Sequence, residues 1–220
     1  MADRADDPQR ELEDILRRGP VIPVVAIAEP EAAVPLARAL LDGGIAVIEV
    51  TLRTPAAIEA IRRIRAEVPA MIVGAGTVLA PDQLEQVATL DVAFAVSPGA
   101  TARLLDAARE SPVPFLPGVA TASEAMAVLE RGFALAKFFP AEPAGGTAWL
   151  RAVAGPLPAL RFCPTGGIDA RNAAQYLALA NVLCVGGSWL APAEAIAAGD
   201  WGRIRDLARA ATALALEKAP

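Results

Sequence analysis

Ala134-Leu135-Ala136-Lys137-Phe138-Phe139-Pro140 reads as a short apolar strand that carries one charge near its end and stops at a proline. The charge stands out because the chain holds two lysines, eighteen arginines and no histidine; the other lysine, Lys218, lies near the C-terminus. An ammonium set among Leu, Ala and Phe must be paired or used, because burying it alone is costly. Burial also favours the neutral amine, the form that attacks a carbonyl to make a Schiff base. The plain alternative is a strand-end lysine that snorkels to solvent or pairs with a carboxylate.

Outward from this stretch the chain alternates strand and helix. Upstream, the strands are Val21 to Ile27, Ile45 to Thr51, Met71 to Ala75, Val92 to Val96 and Pro114 to Val119. Helices follow them over Glu31 to Asp42, Pro55 to Glu67, Pro81 to Ala88, Thr101 to Arg109 and Ala122 to Glu130, the last with Ser123 or Thr121 near its cap. Downstream come a helix from Gly146 to Val153, strands at Leu160 to Pro164 and Val182 to Val185, and helices at Asp169 to Ala178 and Pro192 to Ala197. Eight nearly continuous apolar strands, each followed by a helix, predict a parallel sheet buried on both faces. In 220 residues they predict a single-domain closed (β/α)8 barrel of the TIM type over residues 1–220. Pro8 to Arg18 reads as an extra amphipathic N-terminal helix, ended by Gly19-Pro20, and Trp201 to Leu216 as a C-terminal helix. No G-x-G-x-x-G opens a helix after the first strand, which weakens a dinucleotide-binding alternative.

Composition narrows the chemistry. A net charge of −5 with no basic run argues against a nucleic-acid surface. The charged N-terminus is not a signal peptide, and the longest uncharged span is broken by glycines, Asn181 and Pro192, so no membrane helix is expected. Cys163 and Cys184 sit in apolar runs, as in a reduced, cytoplasmic protein. Without histidine, imidazole metal sites, Ser-His-Asp triads and Cys-His pairs are excluded, and no acidic cluster suggests a magnesium site. Neither metal nor cofactor is expected.

Barrel sites are built at the C-terminal ends of the strands. There, strand two places Glu49 among aliphatics, on the face shared with Val47 and Thr51. A carboxylate inside a barrel is paired or functional, and an internal bridge to Arg53 or Lys137 satisfies both descriptions. Arg53, just past the strand, offers a fork for a carboxylate, against the alternative of a surface arginine. Gly74-Ala75-Gly76-Thr77 lets a ligand approach backbone and the Thr77 hydroxyl, or is turn chemistry. Thr165-Gly166-Gly167 after strand seven and Gly186-Gly187-Ser188 after strand eight stand where many barrels hold a phosphate on backbone N–H groups. The residues alone suit Schiff-base chemistry on a phosphorylated keto acid.

Glu49-Val50-Thr51-Leu52-Arg53-Thr54, Val73-Gly74-Ala75-Gly76-Thr77-Val78, Ser97-Pro98-Gly99, Lys137-Phe138-Phe139-Pro140-Ala141-Glu142, Arg161-Phe162-Cys163-Pro164-Thr165-Gly166-Gly167-Ile168 and Val185-Gly186-Gly187-Ser188-Trp189-Leu190 together resemble the 2-dehydro-3-deoxy-6-phosphogluconate aldolase family. The resemblance runs in order from about Ile15 to the C-terminal helix. It implies a homotrimeric class I aldolase, a carbon–carbon lyase of the Entner–Doudoroff pathway, that takes a phosphorylated 2-keto-3-deoxy sugar acid and releases pyruvate. It further implies that Lys137 forms the Schiff base and that Glu49, through a water, moves the protons. Arg53 and Thr77 would bind the carboxylate with Thr165 nearby, and Gly166, Gly167, Gly187 and Ser188 the phosphate. Turnover of 4-hydroxy-2-oxoglutarate and decarboxylation of oxaloacetate are implied as well. The competing readings are a sister aldolase for the galactonate epimer, a carboxylate-driven isomerase or epimerase, and a non-catalytic barrel that binds a phosphate ligand.

Overall fold

The structure, a computed structural model, describes residues 8–214. The charged N-terminal residues, Lys218 and the last positions of the expected final helix, including Leu216, lie outside the described residues. The chain runs α1 (Pro8–Leu16), β1 (Val21–Val25), α2 (Ala33–Asp42), β2 (Val47–Thr51), α3 (Ala57–Glu67), β3 (Ile72–Gly76), α4 (Pro81–Ala88), β4 (Phe94–Val96) and α5 (Ala102–Glu110). It continues through β5 (Phe115–Leu116), β6 (Gly118–Val119), α6 (Ala122–Glu130), β7 (Leu135–Phe138), α7 (Gly146–Ala154), β8 (Arg161–Pro164), α8 (Ala173–Leu177), β9 (Val185–Gly187), α9 (Ala193–Ala198) and α10 (Trp201–Ala213).

Every ladder is parallel, as expected for strands separated by helices. The ladders form two sheets instead of the single eight-stranded one: six strands in the order β5-β4-β3-β2-β1-β9, and three in the order β6-β7-β8. The division falls inside the expected strand Pro114 to Val119, at Pro117. Proline has no N–H to extend a ladder. Before it, the Ser97 N–H donates to Leu116 O on the β4 side at 3.2 Å; at it, the Lys137 N–H donates to Pro117 O at 2.9 Å. The chain thus leaves β4 and joins β7 across one residue. On the other side, single parallel bridges pair Phe162 with Val182 and Thr165 with Gly186. The expected strand at Val182 to Val185 begins later, as β9, with Val182 held by one of those bridges. Among the helices, α8 covers a smaller part of the expected Asp169 to Ala178, and Thr121 caps α6 through a reciprocal capping box with Glu124.

Strand alternation sorts the side chains into two cores. Val21, Val25, Ile48, Val50 and Val73 face the surrounding helices. Ile22, Val47, Phe94, Val96, Leu116, Leu135 and Cys163 gather on the other face into a separate cluster. Leu12, Ile15 and Leu16 of α1 complete that cluster, so the amphipathic N-terminal helix stops one end of the interior with its apolar stripe. Each fully buried Leu, Ile or Phe contributes about 1.5–3 kcal/mol by leaving water. Two residues along from Val47, Leu135 and Cys163, on the same face, come Glu49, Lys137 and Thr165. The apolar floor therefore gives way to a polar layer toward the C-terminal ends of the strands.

Candidate active site

That polar layer is centred on one ion pair. Lys137 Nζ donates to Glu49 Oε1 at 2.9 Å and to Oε2 at 3.2 Å, and the two residues are 5 % and 4 % exposed. Of the two internal partners open to Glu49, the structure selects Lys137 and not Arg53. Removing one member of so buried a pair costs about 3–5 kcal/mol, since the other charge is then stranded. The Phe139 ring lies with its centroid 5.7 Å from Nζ and closes the apolar side of the ammonium. The proton that must leave this ammonium before it can attack a carbonyl has an acceptor already within hydrogen-bond reach.

Gly76 makes room for the pair. A Cβ there would lie 2.1 Å from Glu49 Oε1, so the residue opposite the carboxylate has to be glycine. The sequence suggested that this glycine admits a ligand; the structure gives the space to Glu49. The next residue, Thr77, is half-buried and takes φ of +62°, a left-handed conformation unusual for a β-branched residue and worth about 1–3 kcal/mol of strain. Its hydroxyl has no partner among the described residues.

Arg53 follows β2 and is exposed. Its Nε donates to Thr51 Oγ1 at 3.0 Å, and the Thr51 hydroxyl in turn donates to Val25 O at 2.8 Å. Thr51 is buried and thereby fixes one edge of the guanidinium from below. The terminal nitrogens of Arg53 donate to no group among the described residues, which leaves a fork for an anion. Sequence reasoning passed over Thr51; its signal was the alternation that puts it on the face of Glu49.

The loops after β7 and β8 are bound to each other. Ala141 N donates to Thr165 O at 2.8 Å and Glu142 N to Gly166 O at 3.0 Å. Gly166 and Gly167 have φ of +103° and +78°; the Thr165–Gly186 bridge turns the Gly166 N–H toward Gly186 O, while the Gly167 N–H donates to nothing among the described residues. Two successive left-handed glycines, the second with a free amide, form a concavity suited to an anion. Asn172 Nδ2 donates to Gly167 O at 3.0 Å and steadies the loop from the far side. Asp169, just beyond, is half-buried and paired with Arg171, whose side chain and backbone hold its carboxyl below the usual range. Thr165 is buried, donates to Cys163 O at 3.4 Å, and abuts Gly186, where a Cβ would lie 2.3 Å from Thr165 Oγ1. The Trp189 ring covers Gly187, and the exposed Ser188 hydroxyl has no partner among the described residues.

The structure thus joins Glu49 to Lys137 directly and Thr165 to the β7 and β9 segments. No hydrogen bond or ion pair links Arg53 or Thr77 to Lys137, or Gly187 and Ser188 to Gly166 and Gly167. No group of three His, Cys, Asp or Glu side chains among the described residues could hold a metal ion. No helix among them is long and apolar enough to cross a membrane.

Comparison with known proteins bears on this geometry. The family model for KDPG and KHG aldolase matches residues 12–207. A KHG/KDPG aldolase from Escherichia coli K12 is 55 % identical over 199 residues, covering 90 % of this chain and 93 % of that protein. The crystal structure of a KDPG aldolase from Legionella pneumophila, with pyruvate captured at low pH as a covalent carbinolamine intermediate, superposes with a TM-score of 0.90. It is 47 % identical and covers 94 % of this chain and 98 % of its own. A 2-keto-3-deoxy-6-phosphogluconate aldolase of Zymomonas mobilis ZM4, solved with 3-phosphoglycerate, has a TM-score of 0.89 and 45 % identity, covering 94 % of this chain and 97 % of its own.

Proposed function

The chain belongs to the KDPG and KHG aldolase family, and from that membership we propose a class I mechanism in which Lys137 is the Schiff-base nucleophile. The enzyme is an aldehyde-lyase that cleaves 2-dehydro-3-deoxy-6-phosphogluconate to pyruvate and glyceraldehyde 3-phosphate, and also splits 4-hydroxy-2-oxoglutarate. The observation that carries the residue assignment is the buried Lys137–Glu49 pair, the one place among the described residues where a strand amine and a carboxylate meet.

The reaction follows from that contact. Lys137 Nζ, its proton passed to Glu49, adds to the C2 carbonyl of the keto acid; Glu49 gives that proton to the departing hydroxyl, and loss of water leaves a protonated imine and a carboxylate. Arg53 and Thr77, with Thr165 beside them, hold the substrate carboxylate. Glu49, through a water, takes the C4 hydroxyl proton; the C3–C4 bond breaks and its electrons move into the imine, giving an enamine and a free aldehyde. Glu49 then returns a proton to C3, and water releases pyruvate and the amine. Gly166 and Gly167, on their left-handed turn, take the phosphate with Gly187 and Ser188. The relative trapped with pyruvate as a carbinolamine supports the first covalent step, and the relative solved with 3-phosphoglycerate supports a phosphorylated ligand.

The architecture belongs to the same proposal. The two sheets read as one (β/α)8 ring of a single domain: β5 and β6 form one strand interrupted at Pro117, and the bridges from β8 close the ring onto β9. One interior cluster drawing on strands of both sheets supports that closure. The assembly is a homotrimer and the compartment the cytoplasm, as the family resemblance implies.

Borohydride reduction in the presence of pyruvate, followed by peptide mass spectrometry, tests the mechanism. One reduced pyruvate on the peptide containing Lys137, absent from Lys137→Met, is expected together with near-complete loss of turnover in that variant. An unmodified Lys137 peptide, or a Lys137→Met variant that still releases pyruvate at the original rate, removes the proposal.

A further inference from the structure

Tyr176 on α8 is fully buried, and its hydroxyl donates to Glu142 Oε1 in the loop after β7. A phenylalanine would fill the same space without a polar atom to satisfy, so what the hydroxyl adds is this bond. The Glu142 side chain reaches it by lying across the glycine loop. A Cβ on Gly167 would fall 2.7 Å from Glu142 Cβ and 2.8 Å from Cγ, and one on Gly146 3.2 Å from the Tyr176 hydroxyl and 3.5 Å from Glu142 Oε1. Both glycines have positive φ, +78° and +56°. From the same residue, the Glu142 N–H donates to Gly166 O. Glu142 therefore grips the Gly166-Gly167 turn twice, by its backbone and by its stem, and Tyr176 anchors the end of that stem to the helix beyond the turn.

We propose that Glu142 and Tyr176 are a positioning pair that sets the Gly166-Gly167 turn and its amides for the phosphate end of the substrate, so that the pair governs preference for the phosphorylated acid over 4-hydroxy-2-oxoglutarate. The proposal rests on the assignment of those amides to the phosphate. The pair also manages a charge. A carboxylate next to an anion cradle repels the anion; the phenol holds Oε1 beside Gly146 and takes up part of its charge in a charge-assisted bond. Neither residue touches the reacting carbons.

The experiment compares Tyr176→Phe, Glu142→Ala, Glu142→Gln and the double variant Tyr176→Phe/Glu142→Ala on both substrates. A neutral-to-charged hydrogen bond of this kind predicts KM for the phosphorylated acid about fivefold higher in Tyr176→Phe and in Glu142→Ala. The double variant should rise no further, because the two changes remove one interaction. Glu142→Gln keeps the acceptor and should stay near the wild-type KM. The KM for 4-hydroxy-2-oxoglutarate and both kcat values should move little. Inorganic phosphate, titrated by calorimetry, should bind about fivefold more weakly to Tyr176→Phe. Equal KM increases on the two substrates, additive effects in the double variant, or unchanged phosphate binding would each overturn the pair. Pyruvate trapping on the wild type separates the two layers: its failure removes the imine mechanism, while normal trapping with an unaltered KM removes only the positioning role.

Discussion

At the level of single residues, the site is an arrangement in which each active side chain is held by a neighbour with no chemistry of its own. Glu49 faces Lys137 because Gly76 leaves a gap where any side chain would collide with the carboxylate. Glu49→Gln retains shape and removes the proposed base, so kcat should fall about 10²- to 10⁴-fold in a coupled pyruvate-release assay. Thr51 holds Arg53 by a hydroxyl that accepts from the guanidinium and donates to Val25 O. Thr51→Val should raise KM about fivefold for the phosphorylated and the unphosphorylated acid alike, since both present a carboxylate, and Thr51→Ser should restore it. This common increase contrasts with the selective one expected at Tyr176. Tyr176 is also the single tyrosine of the chain. Burial first, and then its bond to Glu142, push its pKa above the ordinary value of about 10. The folded state thus keeps the phenolic proton where the unfolded chain has begun to lose it. The stability this provides is fully present below pH of about 10 and declines as pH rises from there toward the folded pKa. Tyrosinate absorbance should accordingly appear at higher pH in the native protein than in denaturant; coincident titrations would contradict the burial.

Among the elements, α1 and the β5–β6 break are the most instructive. The α1 stripe of Leu12, Ile15 and Leu16 seals the interior below the ionic layer. Leu16→Ala should cost about 2–5 kcal/mol in urea unfolding while leaving kcat unchanged, because the cavity opens at the end of the strands away from Lys137. The strand–helix alternation was legible from the sequence because each buried parallel strand is an apolar run bounded by turn residues. Pro114 to Val119 read as one strand because periodicity carries no account of which neighbour a backbone N–H serves, and only pairing reveals that Pro117 hands the chain from β4 to β7. The expected strand Val182 to Val185 differs from β9 for a similar reason: its apolar run starts before its ladder does. Lys137 and Glu49 were legible as charges inside apolar strands, the kind of local contradiction that marks a site. Glu142 with Tyr176, and Thr51 as the support of Arg53, were not. Each depends on a fold that brings distant turns together, or on a hydroxyl whose residue type is common in strands.

For the whole molecule, the proposed trimer predicts light-scattering mass three times that of the 22.7 kDa chain, and a mass equal to one chain would remove that part of the proposal. The distribution of cationic side chains has its own consequence. Among the described residues every positive side chain is a guanidinium except Lys137, and that amine is buried against Glu49. Amine-selective reagents therefore sort by size on this fold: a label too bulky to follow a keto acid inward passes over the described surface without reacting, whereas one small enough to enter finds a single amine and silences the enzyme.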